Sequence, residues 1–187
     1  MNVYDFDNTI YDGESIVDFY FFLLFRNPSL IYILPKLVLM LVKYKACKIS
    51  YDELLQQAEK YIKKLAKYFS KALVKEFWDK NSHKIKKFYI ENQREDDVIL
   101  SASCGFLIRE ICSRLGIKNV VASEVDLTLG KIQRVCYRDK KPEIFKEEFT
   151  DAKIDEFYTD SLNDEPMFAL AKRVFLVKGN NVKELML

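Results

Sequence analysis

The sequence predicts an α/β fold: a Rossmann-like three-layer core around a parallel sheet, plus an inserted α-helical cap. Three patterns favour this fold. A short apolar run opens the chain at residues 1–6, and further short runs alternate with helical patterns after residue 92. Between them, residues 15–91 show the spacing of amphipathic helices. We therefore expect residues 1–14 and 92–187 to form the core and residues 15–91 to form the cap.

Composition limits the class of protein. The chain has 187 residues, 49% of them hydrophobic and 31% charged, so it can bury a core and is neither disordered nor collagen-like. The net charge of +2 indicates no partner by itself, but its distribution is uneven. Arg26 to Arg94 holds 16 basic and 6 acidic residues, whereas the rest of the chain holds 14 and 22. The predicted cap is therefore basic and the predicted core is acidic.

The first half of the cap is strongly apolar. Residues 16–25 predict an aromatic-rich helix that stops near Asn27-Pro28. Residues 29–45 predict a second helix, which either kinks at Pro35 or begins there. No uninterrupted apolar run here reaches the ~18 residues of a membrane span, so a transmembrane helix is disfavoured.

The second half of the cap is rich in lysine. Ser50 followed by Glu53 forms a capping-box pattern, which predicts the start of a helix whose apolar face extends to Phe69. A further helix is expected over about residues 71–90.

Short strands and helices alternate in the second part of the core. Val98–Leu100 predicts a strand that ends at Ser101. We expect the remaining elements in this order: a helix over 106–115, a strand at 119–122, a hairpin formed by 121–126 and 131–137, a strand at 157–158, a helix over 166–172 and a strand at 173–177. This alternation with short loops is typical of a parallel α/β sheet.

Two carboxylates follow the first strand. Asp5 and Asp7 lie in the run Asp-Phe-Asp-Asn-Thr, and ligands of an open α/β sheet bind beyond the carboxyl ends of its strands. Both side chains can face one pocket if Phe6 points into the core. Such a pair could hold Mg2+ while one oxygen attacks phosphorus. Taken alone, the run is explained equally well by an ordinary polar turn.

A second acidic cluster follows a later strand. Asp160 and Asp164 would bring two more carboxylates to the same sheet edge, where crowded like charges need a cation. Ser101 supplies a hydroxyl, and backbone N–H groups near the start of the next helix, including that of Ala102, would bind phosphate. Lys141 would add the positive charge that a phosphoryl group requires.

Together these motifs resemble those of the haloacid-dehalogenase-like superfamily in order and in placement at strand ends. They are Asp-Phe-Asp-Asn-Thr, Leu-Ser-Ala-Ser, a lysine, and Tyr-Thr-Asp-Ser-Leu-Asn-Asp-Glu-Pro. The insertion between the first two motifs resembles the cap of the phosphoserine-phosphatase-like subgroup. Its hydrophobic, proline-broken start is similar to the cap of bacterial phosphatidylglycerophosphate phosphatases.

The resemblance implies a role for each acidic residue. Asp5 would be the nucleophile that becomes an aspartyl-phosphate. Asp7 would be the general acid that protonates the leaving oxygen and then the base that activates water. Asp5, the backbone carbonyl of Asp7, and Asp160 would ligate Mg2+, with Asp164 in support.

The resemblance also assigns Ser101 and Lys141 to the phosphoryl oxygens, and the chain departs from the family pattern at two positions. Asn8 stands where glycine is common, although asparagine tolerates the left-handed conformation. The run Cys-Tyr-Arg-Asp-Lys-Lys that ends at Lys141 resembles a C-x-G-x-x-K pattern with Arg138 in place of glycine. Lys140 therefore remains a rival for the role of Lys141.

These residues predict a Mg2+-dependent phosphomonoester hydrolase that acts on a small phosphorylated metabolite or a lipid phosphate. The alternative is a catalytically idle relative that binds a phosphorylated ligand or a partner protein through its cap. The intact set of four aspartates argues against that alternative.

The apolar and basic cap leaves its partner open. It would either dock peripherally on an anionic membrane surface, or its helices pack on each other or on a second subunit in a homodimer. Helical spacing of the apolar residues favours the second alternative. No nucleic-acid partner is expected, because arginines are scarce among the lysines. Without a C-x-x-C pair or a basic N-terminal region, we expect a cytoplasmic protein, at the inner face of the membrane if the cap docks there.

Overall fold

The computed structural model describes residues 1–186 and contains a seven-stranded sheet. Its strands are β1 Asn2–Tyr4, β2 Val98–Cys104, β3 Asn119–Asp126, β4 Lys131–Arg134, β5 Ile154–Thr159, β6 Ala171–Lys178 and β7 Asn181–Leu185. Their order in space is β4-β3-β2-β1-β5-β6-β7. The five central strands are parallel, and β4 and β7 pair antiparallel at the edges. The predicted α/β fold is confirmed.

Helices cover both faces of this sheet. They are α1 Ser15–Arg26, α2 Leu34–Lys45, α3 Tyr51–Ala66, α4 Lys71–Asn81, α5 Lys87–Asn92, α6 Gly105–Arg114, α7 Lys140–Glu148 and α8 Glu165–Phe168. Successive strand residues point to opposite faces, so Tyr4 and Ile99 pack with α1, α4, α5 and α6, whereas Val3 and Val98 pack with α7 and α8. This is the three-layer arrangement.

The insertion confirms some of the predicted helices and corrects others. Ser50 and Glu53 form the capping box at the start of α3. The second apolar helix does not kink at Pro35: a 3-10 turn over Pro28–Tyr32 comes first, and α2 begins anew with Pro35 in its first turn. None of the helices within residues 1–186 combines the length and apolar content that crossing a bilayer requires.

The prediction of a single helix over residues 71–90 is wrong. The chain divides into α4, a 3-10 turn over Ser82–Lys84 and α5, because the segment between them pairs with the loop after β1. Ile85 forms a β-bridge with Tyr11, and the backbone N–H of Lys86 donates to the carbonyl of Ile10 at 2.8 Å. The second half of the insertion therefore packs on the sheet and supports the loop that carries Asp5 and Asp7. The division into cap and core stays a prediction.

Several strand and helix bounds also differ from expectation. β2 extends beyond Leu100 to Cys104, because Ser101 and Cys104 still pair with β3 across a register shift. β4 ends at Arg134, and α8, four residues long, covers only residues 166–168 of the expected 166–172 helix. Helix α7 and strand β7 were not predicted. Most of β7 is exposed, so it lacks an apolar alternation that could reveal it.

Candidate active site

The loop after β1 is shaped by one buried aromatic residue. Phe6 is fully buried and lies 5.8 Å from Tyr11 and 6.1 Å from Trp78 between ring centroids. Its carbonyl accepts two backbone N–H groups from further along the loop. The backbone N–H of Asp5 donates to the carbonyl of Tyr158 on β5 at 2.9 Å. Phe6 thus occupies the core, as expected. The carboxylates on either side of it, Asp5 and Asp7, lie at the edge of the sheet where the parallel strands end.

Asn8 adopts the left-handed conformation that its position requires, with φ of 56°. Its side-chain amide donates to Glu14 Oε1 at 2.7 Å, and its carbonyl accepts the ammonium of Lys86. Burial lowers the pKa of Lys86, while Asp12 and Asp160 raise it. Lys86 could not be predicted from sequence, because it lies among many lysines and contacts Asn8 only after folding.

The Asp7 carboxylate is held on both oxygens. The backbone N–H of Ser15 donates to Asp7 Oδ1 at 2.7 Å, and Ser103 Oγ donates to Asp7 Oδ2. The two serine hydroxyls lie 3.1 Å apart, and both serines are buried. Burial raises the pKa of Asp7, and these two serines lower it part of the way back. Ser15 and Ser103 were missed from sequence.

A buried ammonium joins the first and last motifs. Lys141 Nζ donates to Asp5 Oδ1 at 2.9 Å and to Asp164 Oδ2 at 2.8 Å, and its side chain is only 2% exposed. Thr159 Oγ1 also donates to Asp164 Oδ2, at 2.9 Å. Burial alone would lower the pKa of Lys141, but the two carboxylates raise it, so this side chain is charged. Lys140, the rival, points to solvent instead.

The backbone of the loop before α7 suits glycine at the position of Arg138. Arg138 has a φ of 46°, a conformation that glycine adopts freely and arginine does not. The guanidinium lies 5.1 Å from the ring centroid of Tyr137 and donates to Asn163 Oδ1 at 3.2 Å. Tyr137 stacks on Tyr51 of α3 with centroids 5.6 Å apart. This loop therefore connects the insertion with the segment that carries Asp160 and Asp164.

Ser101 and Ala102 lie within β2 and not at the start of α6, which begins at Gly105. Ser101 is buried, and its hydroxyl oxygen accepts the backbone N–H of Ser103 at 3.0 Å. Ala102 is exposed. The expected placement at a helix N-terminus is therefore corrected, and phosphate binding by these residues stays a prediction.

The carboxylates repel one another. Burial raises the pKa of Asp5, with Asp164 and Asp7 adding to the effect and Lys141 opposing it. Burial also raises the pKa of Asp160, and its charge acts in turn on Asp7. Within residues 1–186, no three His, Cys, Asp or Glu side chains converge into a metal cage. Any cation here must use backbone oxygens and water as well.

Residues 3–169 match the model of the haloacid dehalogenase-like hydrolase family, to which the chain therefore belongs. The predicted family and the prediction of a hydrolase are confirmed. A search among curated proteins found no match. The resemblance of the cap to phosphatidylglycerophosphate phosphatases stays a prediction.

Solved structures share the fold at low sequence identity. A Bordetella pertussis Tohama I protein of unknown function has a TM-score of 0.72 and 17% identity, covering 93% of this chain and 87% of that chain. A phosphoserine phosphohydrolase-like protein from Francisella tularensis has a TM-score of 0.60 and 19% identity, covering 93% and 86%. A HAD family hydrolase from Salmonella enterica serovar Typhi has a TM-score of 0.64 and 13% identity, covering 90% and 58%.

Proposed function

We propose that this hydrolase is a Mg2+-dependent phosphomonoesterase that acts through an aspartyl-phosphate on Asp5. The observation that carries the proposal is the buried Lys141 ammonium between Asp5 and Asp164. It binds only one oxygen of Asp5, which leaves the other for attack on phosphorus. Beside it stands Asp7, whose two oxygens are already oriented by hydrogen bonds.

The residues present fit a magnesium ion. Asp5, the backbone carbonyl of Asp7, and Asp160 would hold it, with Asp164 supporting the set through Lys141. Mg2+ keeps several waters and needs only one or two protein carboxylates, so the lack of a three-carboxylate cage does not count against it. Burial, and to a smaller extent the neighbouring carboxylates, raise the pKa values of Asp5, Asp7 and Asp160, and a divalent cation would offset the charge of these buried groups. When bound, Mg2+ would offset charge on the phosphoryl oxygens.

The chain's own residues supply the bond changes. An Asp5 oxygen attacks phosphorus, the ester P–O bond breaks, and the leaving oxygen takes a proton from Asp7. Asp7 then removes a proton from water, which attacks the phosphorus of the aspartyl-phosphate. The acyl phosphate P–O bond breaks, which restores Asp5 and releases inorganic phosphate. The raised pKa of Asp7 suits a group that must hold a proton before the first step.

Three groups would hold the phosphoryl oxygens. Lys141 has a third N–H that neither Asp5 nor Asp164 uses. The Ser101 oxygen accepts a backbone N–H, so its own hydrogen is available to donate. The backbone N–H of the exposed Ala102 is the third donor. These donors act mainly by positioning and by electrostatics.

The substrate class is a small phosphorylated metabolite or a lipid phosphate. We propose a cytoplasmic location, with the cap at the inner face of the membrane or against a second subunit. No nucleic-acid partner is part of the proposal.

Hydrolysis of a generic aryl phosphate with and without Mg2+ tests the chemistry. Asp5→Asn should lower turnover by at least about 10³-fold, since it removes the nucleophile. Asp12→Asn is the matched control, because it changes an exposed carboxylate of the same loop and should leave turnover unchanged. Metal-independent turnover, equal loss in both variants, or no turnover of any phosphomonoester in a panel of metabolites and lipids would contradict the proposal.

A further inference from the structure

The first half of the insertion leaves many large apolar side chains uncovered. Helix α2 buries only Met40. Ten apolar residues of this segment are exposed, and we call them the cap apolar surface: Ile16, Val17, Phe21, Phe25, Ile31, Tyr32, Val38, Leu39, Leu41 and Val42. Exposed apolar residues concentrated in this way mark interaction sites in folded proteins.

Exposure is greatest where the two helices meet. Phe25 is 87% exposed at the end of α1, and Tyr32 is 77% exposed at the end of the 3-10 turn. That turn packs against both α1 and α2, so the two most exposed aromatic residues of the segment lie close to the junction of these helices. Aromatic residues of this kind anchor proteins in the interfacial region of a bilayer.

Charge between residues 19 and 51 has one sign, and Asp18, the acidic residue of α1, is paired with Lys84. Residues 19–51 contain no Asp or Glu and five basic residues: Arg26, Lys36, Lys43, Lys45 and Lys48. All five are exposed. Arg26 pairs with Glu76 of α4, whereas the lysines form no ion pair within residues 1–186. The uncovered apolar groups are thus accompanied by positive charge that the fold does not neutralise.

We infer that the cap apolar surface docks on the surface of an anionic lipid bilayer, with its lysines at the headgroups. A basic amphipathic surface binds such a bilayer through apolar burial and electrostatic attraction together. A second copy fits less well, because a twofold interface would bring the basic residues of one copy against those of the other. The docking does not depend on the proposed chemistry.

Flotation with vesicles tests the inference directly. Full-length protein should float with phosphatidylcholine vesicles that contain phosphatidylglycerol and should stay behind with phosphatidylcholine alone. Raising the salt until the Debye length falls from about 10 Å to about 3 Å should release it. Absence of binding, or equal binding to both kinds of vesicle, would overturn the inference.

Matched variants separate this surface from general stickiness. Phe25→Ser with Leu41→Ser should weaken binding by at least about 10-fold, whereas Leu129→Ser, an exposed leucine outside the surface, should not. Lys36→Gln with Lys43→Gln should weaken binding by about 30-fold, since each lysine near an anionic surface contributes about fivefold. Equal loss in the Leu129 control would overturn the inference.

Lys118→Gln with Lys153→Gln removes the same charge from exposed positions outside the surface and should have little effect. A loss equal to that of the first lysine pair would count against the docking. So would a dimer that forms without vesicles and dissociates in the Phe25 variant, as seen by sedimentation velocity. Aryl phosphate turnover without vesicles should be unchanged in all these variants, so failure of docking and failure of the proposed chemistry give different results.

Discussion

Removing the Lys141 ammonium is the most direct perturbation of the site. Lys141→Gln keeps the length of the side chain roughly and leaves Asp5 and Asp164 buried without their cation. Both contacts are short, 2.9 Å and 2.8 Å, and the lysine is 2% exposed. Breaking a buried ion pair by removing one partner costs about 3–5 kcal/mol. Because the glutamine amide can still donate one hydrogen bond, we expect about 3 kcal/mol at neutral pH.

The assay is denaturant unfolding alongside aryl phosphate hydrolysis, with Lys140→Gln as the control. The Lys140 side chain is 64% exposed and pairs only with Glu143, so its loss should change the free energy of unfolding by less than about 0.5 kcal/mol. Turnover should fall by at least about 10²-fold in the Lys141 variant and stay unchanged in the control. Equal effects of the two substitutions would refute the assignment of Lys141.

The pH dependence of this difference has a definite sign. Lys141 lowers the pKa of Asp5, so the variant's Asp5 has a still higher pKa than the wild type's. A carboxyl whose folded pKa is raised contributes stability below its unfolded pKa and loses it as pH rises. Below the wild-type Asp5 pKa of about 7, both folded proteins keep Asp5 protonated and lose stability in parallel. The stability gap between wild type and variant should therefore stay constant at acidic pH and widen as the pH rises through about 7. A gap that does not change with pH would show that Lys141 acts only by packing.

Three further outcomes follow from particular contacts. Ser103→Ala removes a donor to Asp7, so the pKa of that carboxyl should rise. We expect kcat to fall by about 10-fold, and the limb of the kcat–pH profile that depends on Asp7 should move to higher pH. An unchanged pH profile would count against the contact. Burial raises the pKa of Asp97 to about 6. Asp97→Asn should therefore increase the free energy of unfolding at pH 8 by about 1 kcal/mol, with the gain disappearing toward pH 4 in thermal melts. Gly130→Ala would place a Cβ 2.5 Å from a side-chain atom of α3 and should destabilise by about 1–3 kcal/mol more than Gly179→Ala, which meets nothing within 4 Å; equal melting temperatures would contradict this.

Local signals explain which elements could be predicted from sequence. The apolar run before Asp5, the buried run at Val98–Leu100 and the capping box at Ser50 each depend on a few neighbouring residues. Strand β7 and helix α7 have no such signal, since their residues are mostly polar and exposed. Their place is set by the strands and loops against which they pack.

Contacts made over long sequence distances explain what was missed in the site. The acids and Lys141 sit in motifs, so their residue types alone indicated chemistry. Ser103 and Asp7 are separated by 96 residues, and Lys86 and Asn8 by 78. Ser103 ends the Leu-Ser-Ala-Ser motif, but nothing local indicates that its hydroxyl donates to Asp7. Nothing local distinguishes Lys86 from the neighbouring lysines, because only folding brings it to Asn8.

The pairing of the short strand β1 also determines when the sheet can be completed during synthesis on the ribosome. Both of its neighbours are made much later, since Val3 pairs with Val98 on one side and with Phe157 on the other. At about 5–20 residues per second, roughly 8–30 s pass between the synthesis of β1 and that of its second partner. During that interval the insertion can form its helices, but β5, which completes one side of the pocket, has not yet been made. Asp5 therefore precedes both neighbouring strands in the chain and reaches its final environment only after β5 has been made.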